Sequence, residues 1–242
     1  MKPVLTLIIP TFNEASIITQ SLKSIAFSLG EKLSLKTEII ITDDGSDELP
    51  EAVRQQTGDI PFLHIKVIKN EKRLGKGKSL ALGFKQAQGD IVGFIDADLS
   101  VDPTHIHAVV EYIQSGVCDI CIGSRITRRG RIGEPLLNTV LGSVFGFLVR
   151  TFIFRREKYT DTQCGFKFYT NSVARDLYTD LVAHDGLTDL EILIKASKKG
   201  HSIKKIEVPR THSRVSKRSL HKIVVKEALS FIRIVLRYRK AF

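Results

Sequence analysis

Asp96 and Asp98 stand two residues apart at the end of the apolar run Ile91–Ile95, and a second acidic pair, Asp43-Asp44, follows Ile39-Ile40-Ile41. Residues i and i+2 of an extended segment point to the same side. Asp96 and Asp98, with Ala97 between them, can therefore share a hard cation. Mg2+ and Mn2+ suit such carboxylates, and Mg2+ keeps few protein ligands and completes its shell with substrate phosphates. Alone, an Asp-X-Asp is a weak signal and turn and helix-cap chemistry is the better reading, since Asp102-Pro103 follows closely. Two acidic pairs at the ends of two apolar runs favour the metal reading. A third polar cluster, Pro10-Thr11-Phe12-Asn13-Glu14, closes the apolar run that begins at Val4.

The elements that must position these groups alternate regularly in the first half. The pattern predicts strands over Val4–Pro10, Thr37–Asp43, Phe62–Lys69, Ile91–Ile95 and Cys118–Gly123. Helices are predicted over Glu14–Leu29, Ser46–Gln56, Gly77–Gln88 and Pro103–Gln114. Unbroken apolar runs suit strands covered on both faces. Strand–helix alternation implies an α/β fold, a mostly parallel sheet flanked by helices, with ligands at the carboxyl ends of the strands. The second half is less regular. A basic loop spans 125–135, and Leu136–Val149 runs fourteen residues without a charge, short of the ~20 that cross a bilayer. Helices are predicted over Asn171–Leu181, Thr188–Lys199 and Leu220–Lys240, with a strand over Ser202–Val208.

Composition narrows the classes. The 242 residues are 43% hydrophobic and 26% charged, which excludes a disordered or collagen-like chain. Three cysteines and an initial apolar run too short for an export signal point to a reducing compartment. The formal net charge of +11 is unevenly placed: residues 1–120 hold 12 Lys/Arg and 16 Asp/Glu, and residues 121–242 hold 25 and 10. The basic half should face something anionic: nucleic acid, a lipid surface or a phosphorylated substrate.

Other motifs carry less. Gly75-Lys76-Gly77-Lys78 lacks the spacing of a P-loop, which excludes a P-loop nucleotide hydrolase. Cys118 and Cys121 form a C-x-x-C with no second pair at zinc spacing, so they read as core thiols, as does Cys164. Asp189 and Glu191, two apart on a helix, lie on different faces and read as structural.

In order along the chain, Val-Leu-Thr-Leu-Ile-Ile-Pro-Thr-Phe-Asn-Glu at 4–14, Asp-Asp-Gly-Ser at 43–46, Gly-Lys-Gly-Lys at 75–78, Asp-Ala-Asp-Leu-Ser at 96–100 and Gly-Ser-Arg at 123–125 resemble the family 2 glycosyltransferases of the GT-A fold. Asp161-Thr162-Gln163-Cys164-Gly165-Phe166-Lys167 is similar to their polyprenyl-phosphate branch, the dolichyl-phosphate glucosyltransferases first and the mannose synthases next. The resemblance covers about residues 4–217. It implies a catalytic domain over 1–217, with a nucleotide-sugar half at 1–124, an acceptor half at 125–217 and a basic amphipathic helix at 218–242.

The resemblance implies site residues by position. Pro10, Phe12 and Glu14 line the nucleotide pocket, and Asp44, beside Asp43, contacts the base. Asp96 and Asp98 match the donor and metal pair, with Ser100 at a metal-ligand position and Lys76 and Lys217 as donor contacts. Arg125 matches an arginine near the transferred phosphates. Asp161 is the candidate for orienting acceptor or sugar; with Asp98 and Arg125 it makes up the catalytic set. Arg125, Arg128, Arg129 and Arg131 are the candidates for the acceptor phosphate.

The implied reaction moves a hexose onto a polyprenyl phosphate with inversion, using Mg2+ or Mn2+. UDP-glucose is favoured as donor, with GDP-mannose as the alternative. A phosphate oxygen is already ionised at neutral pH, so no strong general base is required. Such an acceptor places the enzyme at the cytoplasmic side of a membrane, peripheral or monotopic. Cations bracketing Leu136–Val149 and filling Leu220–Lys240 suit a headgroup region; a core or homodimer contact is the alternative for these segments. Two rivals remain open: a soluble family 2 enzyme with Asp189 or Glu191 as base, and a basic nucleic-acid binder. The second lacks a helix-turn-helix, a zinc pattern, an aromatic RNA-binding motif and any Trp.

Overall fold

A computed structural model describes residues 2–34, 36–48, 53, 64–126, 161–184, 186–209 and 220–238. The described strands are β1 (Leu5–Thr11), β2 (Thr37–Asp43), β3 (His64–Lys69), β4 (Ile91–Ile95), β5 (Ile120–Ile126), β6 (Phe166–Thr170) and β7 (Ile203–Pro209). The helices are α1 (Ala15–Ser34), α2 (Lys76–Gln86), α3 (Ile106–Gln114), α4 (Asn171–Leu177), α5 (Thr188–Lys198) and α6 (Leu220–Tyr238). A 3-10 turn, Pro103–His105, leads into α3 and is capped by the Asp102 carboxylate, which accepts the Thr104 N–H.

The strands form one seven-stranded sheet ordered β3-β2-β1-β4-β6-β5-β7. β1 runs parallel to β2 and β4, β2 to β3, and β5 to β7, while β6 runs antiparallel to both β4 and β5. The fold is therefore α/β and mostly parallel, as the alternation implies. The pleat explains the unbroken apolar runs. Leu5, Leu7 and Ile9 join one core with Ile18, Leu22 and Ile25 of α1 and Val109 of α3. Ile8 and Ile40 point into a second core with Leu80 and Phe84 of α2, Leu177 of α4, Leu190 of α5 and Ile234 of α6. With apolar layers on both faces, the middle residues of β1 and β2 are apolar on both sides.

Three predictions change. β6 was not expected: Phe166 and Phe168 enter one core and Tyr169 the other, while the fully buried Lys167 disguises the pattern as half-polar. β5 begins at Ile120, so Cys118 precedes it rather than lying in the strand; it is buried nonetheless. Residues 96–99 are a turn, closed by the Leu99 N–H donating to the Asp96 carbonyl, with Leu99 at φ 48°. Asp96 and Asp98 thus lie in a turn and not in an extended segment. The predicted helix Ser46–Gln56 lies mostly outside the described residues, as does all of 127–160.

Candidate active site

Each parallel strand delivers its polar cluster at its carboxyl end, and β6 adds its own from the opposite direction. Because β6 is antiparallel, its entrance, residues 161–165, lies beside the exits of β4 and β5: Ile95 pairs with Phe166, and the Asp96 N–H donates to the Gly165 carbonyl. A Cβ on Gly165 would collide with the Asp96 carboxylate, so only glycine permits this approach.

Two charged pairs stand at this edge. Lys76, the first residue of α2, donates from Nζ to Asp96 Oδ1 at 2.7 Å, both side chains about one-third exposed at 33%. Arg125, near the end of β5, grips Asp161 bidentately: Nε reaches Oδ2 at 2.6 Å and Nη2 reaches Oδ1 at 2.8 Å. The Arg125 backbone N–H also donates to Asp161 Oδ2. Behind them Lys167, wholly buried, donates to Asp189 Oδ1 and to the Cys164 carbonyl, each at 2.7 Å. Sequence reasoning named Arg125 and Asp161 separately and missed both their pairing and Lys167.

Burial alone would raise the Asp96 carboxyl, but Lys76, Lys167 and Arg125 together hold it below the ordinary value. Burial likewise opposes the charged form of Asp161, and Arg125 outweighs it. The Asp161 carboxylate raises Arg125 despite burial, and Asp96 and Asp189 raise Lys76 against the same penalty. Lys76, Asp96, Arg125 and Asp161 are thus held in their charged forms, cations and carboxylates interleaved. Burial pushes the Cys121 thiol up to about 12 and Cys164 up to about 11, so neither supplies a thiolate.

The nucleotide-side candidates are built differently. Asp43, fully buried, accepts the Ser46 N–H and hydroxyl, and the Thr11 hydroxyl reaches it at 3.4 Å. The Asp44 carboxylate accepts the Leu74 N–H at 2.7 Å and the Gly75 N–H at 3.0 Å, along with Asn70 Nδ2 and the Ser79 hydroxyl. It thereby fixes the loop that leads into α2. Phe12 carries the Arg73 guanidinium 4.1 Å from its ring centroid, and Pro10 and Glu14 are half-buried near it in sequence. Ala97 and Ser100 are buried, and the Ser100 N–H donates to Asp98 Oδ1. Arg128, Arg129, Arg131 and Lys217 lie outside the described residues.

Among the described residues no group of three or more His, Cys, Asp or Glu could hold a metal. The turn at 96–99 carries two carboxylates, and the half-buried Asp98 makes a single hydrogen bond among the described residues. That donor set fits Mg2+ or Mn2+ sharing its shell with phosphate oxygens.

The glycosyl transferase family 2 model matches residues 6–179. The chain is 27% identical over 221 residues to a dolichyl-phosphate beta-glucosyltransferase of Saccharomyces cerevisiae, covering 84% of this chain and 66% of that one. It is 29% identical over 237 residues to a dolichol-phosphate mannosyltransferase of Pyrococcus furiosus, covering 97% and 63%. Across such curated relatives it spans from 32% to 74% of their length. In fold it superposes on a mannosyltransferase of Pyrobaculum calidifontis in complex with GDP-mannose and Mn2+, with TM-score 0.65 at 21% identity, over 99% of this chain and 65% of that one.

Proposed function

Because the chain belongs to glycosyl transferase family 2, we propose that it is a hexosyltransferase which moves a sugar from a nucleotide-sugar to a polyprenyl phosphate. One observation carries the choice of acceptor. Among the described residues, the three acceptor-half carboxylates at 161, 189 and 191 that could serve a hydroxyl acceptor as a base are engaged. Asp161 is held bidentately by Arg125, Asp189 by the buried Lys167, and Glu191 by the Val182 and Ala183 N–H groups and the Tyr238 hydroxyl. An ionised phosphate oxygen requires no such base.

In this reading Asp96 and Asp98 hold Mg2+ or Mn2+, which when bound offsets the charge of the departing pyrophosphate. Lys76 and Arg125 stand beside that charge and stabilise it further. Phe12, Asp43 and Asp44 shape the nucleotide side, with Pro10 and Glu14. The acceptor attacks opposite the leaving group, so the anomeric centre inverts, and positioning supplies much of the rate. UDP-glucose is the favoured donor and GDP-mannose the alternative; relatives named for either sugar are at hand.

The acceptor places the enzyme at the cytoplasmic side of a membrane. Among the described residues no helix is long and apolar enough to cross one. A peripheral seat on α6 is supported by its outward Leu229, Ile232 and Leu236, each more than half exposed, set among Arg233 and Arg237. Labelled UDP-glucose and GDP-mannose, each offered with polyprenyl phosphate vesicles, test the reading. Metal-dependent transfer of label into lipid from one donor is expected. Transfer to free sugars but never to lipid would sink it.

A further inference from the structure

Glu191 is wholly buried, one turn into α5, and its carboxylate is occupied on every side. Val182 donates its N–H to both oxygens at 3.0 Å, Ala183 donates to Oε2 at 2.8 Å, and the Tyr238 hydroxyl donates to Oε1 at 2.9 Å. The first two partners belong to the loop between α4 and α5; the third is the last residue of α6. A carboxylate with three charge-assisted donors is a strong fastening for a loop with no regular structure of its own.

The fastened loop presses on the start of α2. The Gly77 N–H meets the His184 carbonyl at 3.4 Å. A Cβ on Gly75 would strike that same carbonyl, and one on Gly77 would strike the Thr188 side chain. Thr188 in turn donates its hydroxyl to the Ala183 carbonyl at 3.0 Å. Lys76 lies between these two glycines. Its backbone is clamped by the loop on one side and by Asp44, through the Leu74 and Gly75 N–H groups, on the other. Its ammonium then reaches Asp96.

We propose that Glu191 and Tyr238 are positioning residues: through the 182–184 loop they set where Lys76 stands relative to Asp96. α6 is thereby tied to the donor side of the site by one hydroxyl at its carboxyl end. That Lys76 serves sugar transfer rests on the function proposed above; the placement of Lys76 does not.

Two variants test it. Glu191→Gln keeps the shape but loses an acceptor, and Tyr238→Phe removes one hydroxyl from the end of a helix, so it folds even where the first does not. The acylation rate of Lys76 by a water-soluble amine reagent, read by peptide mass, should rise about fivefold or more in either variant. Lys85, at the far end of α2, should acylate unchanged. Equal Lys76 rates in wild type and both variants would overturn the proposal whatever the enzyme transfers. Transfer kinetics supply the second readout. Tyr238→Phe should lower kcat about tenfold beside Lys76 and less than twofold in a Lys76→Met background, because coupled residues are not additive. Equal losses in both backgrounds would reduce the hydroxyl to a general stabiliser and overturn the proposal. A chain that shows the acylation change but transfers no hexose to any lipid would refute the function and leave the placement standing.

Discussion

Asp98 and the Arg125–Asp161 pair make separable demands. Asp98 has one hydrogen bond among the described residues, so Asp98→Asn should leave the unfolding midpoint unchanged while transfer falls by about a hundredfold or more. Full turnover at saturating Mg2+ would remove it from the metal site. Arg125 differs because its planar fork satisfies both Asp161 oxygens at once. Lysine carries the same charge but cannot form two parallel bonds. Arg125→Lys should therefore cost about tenfold or more in kcat/KM with nucleotide binding retained; unchanged kcat/KM would show that charge alone suffices. Asp96, Lys76 and Asp44 act less independently, since each also fixes a neighbour.

Element by element, the strands that carry the nucleotide side were readable because nothing competes with burial there. Ile39, Ile40 and Ile41 are apolar on successive faces, which only a strand between two layers requires. The strand ends at Asp43, Asp96 and Arg125 then mark the site edge by topology alone. β6 escaped because its Lys167 is buried against Asp189, a residue twenty-two positions further on, and no local pattern foretells that partner. The same holds for Gly165. Its motif signals a resemblance, but the physical cause, an Asp96 carboxylate against its Cα, exists only once β6 lies antiparallel beside β4. Gly165→Ala should therefore displace Asp96, costing about 1–3 kcal/mol in urea unfolding and most of the transfer activity. An alanine variant as active as wild type would mean that the turn at 96–99 yields freely.

At the scale of the whole molecule, two properties answer to the solvent. Asp96 and Asp161 titrate lower folded than unfolded, so the unfolded chain takes up their protons first as pH falls. Their stabilisation is complete above the unfolded value of about 3.9 and is lost as pH drops through the folded values. Asp161→Asn should make the acid-side fall of the urea midpoint below about pH 4 shallower; an unaltered slope would assign acid loss elsewhere. The second is the membrane adhesion proposed above. Coulomb attraction to anionic lipid is screened over ~8 Å at physiological ionic strength, whereas apolar insertion is not. Sedimentation with anionic vesicles should weaken but persist as salt rises, and Arg233→Gln with Arg237→Gln should reduce it. Binding indifferent to both would remove α6 from the membrane contact.

The place of β6 between β4 and β5 also dictates a schedule. Those two strands never pair with each other, so the four-stranded ribbon β3-β2-β1-β4 and the lone strand β5 stay apart until a segment ending at residue 170 joins them, and β7 adds to β5 only later. On a ribosome adding residues from the amino end, β4 must wait with one edge unsatisfied for some seventy further residues to emerge, and β5 has no partner of any kind until β6 arrives. Open edges of apolar strands recruit strands from other chains. A nascent or truncated chain stopped near residue 124 should therefore collect in aggregates, and holdase chaperones should have their greatest effect on yield during that interval.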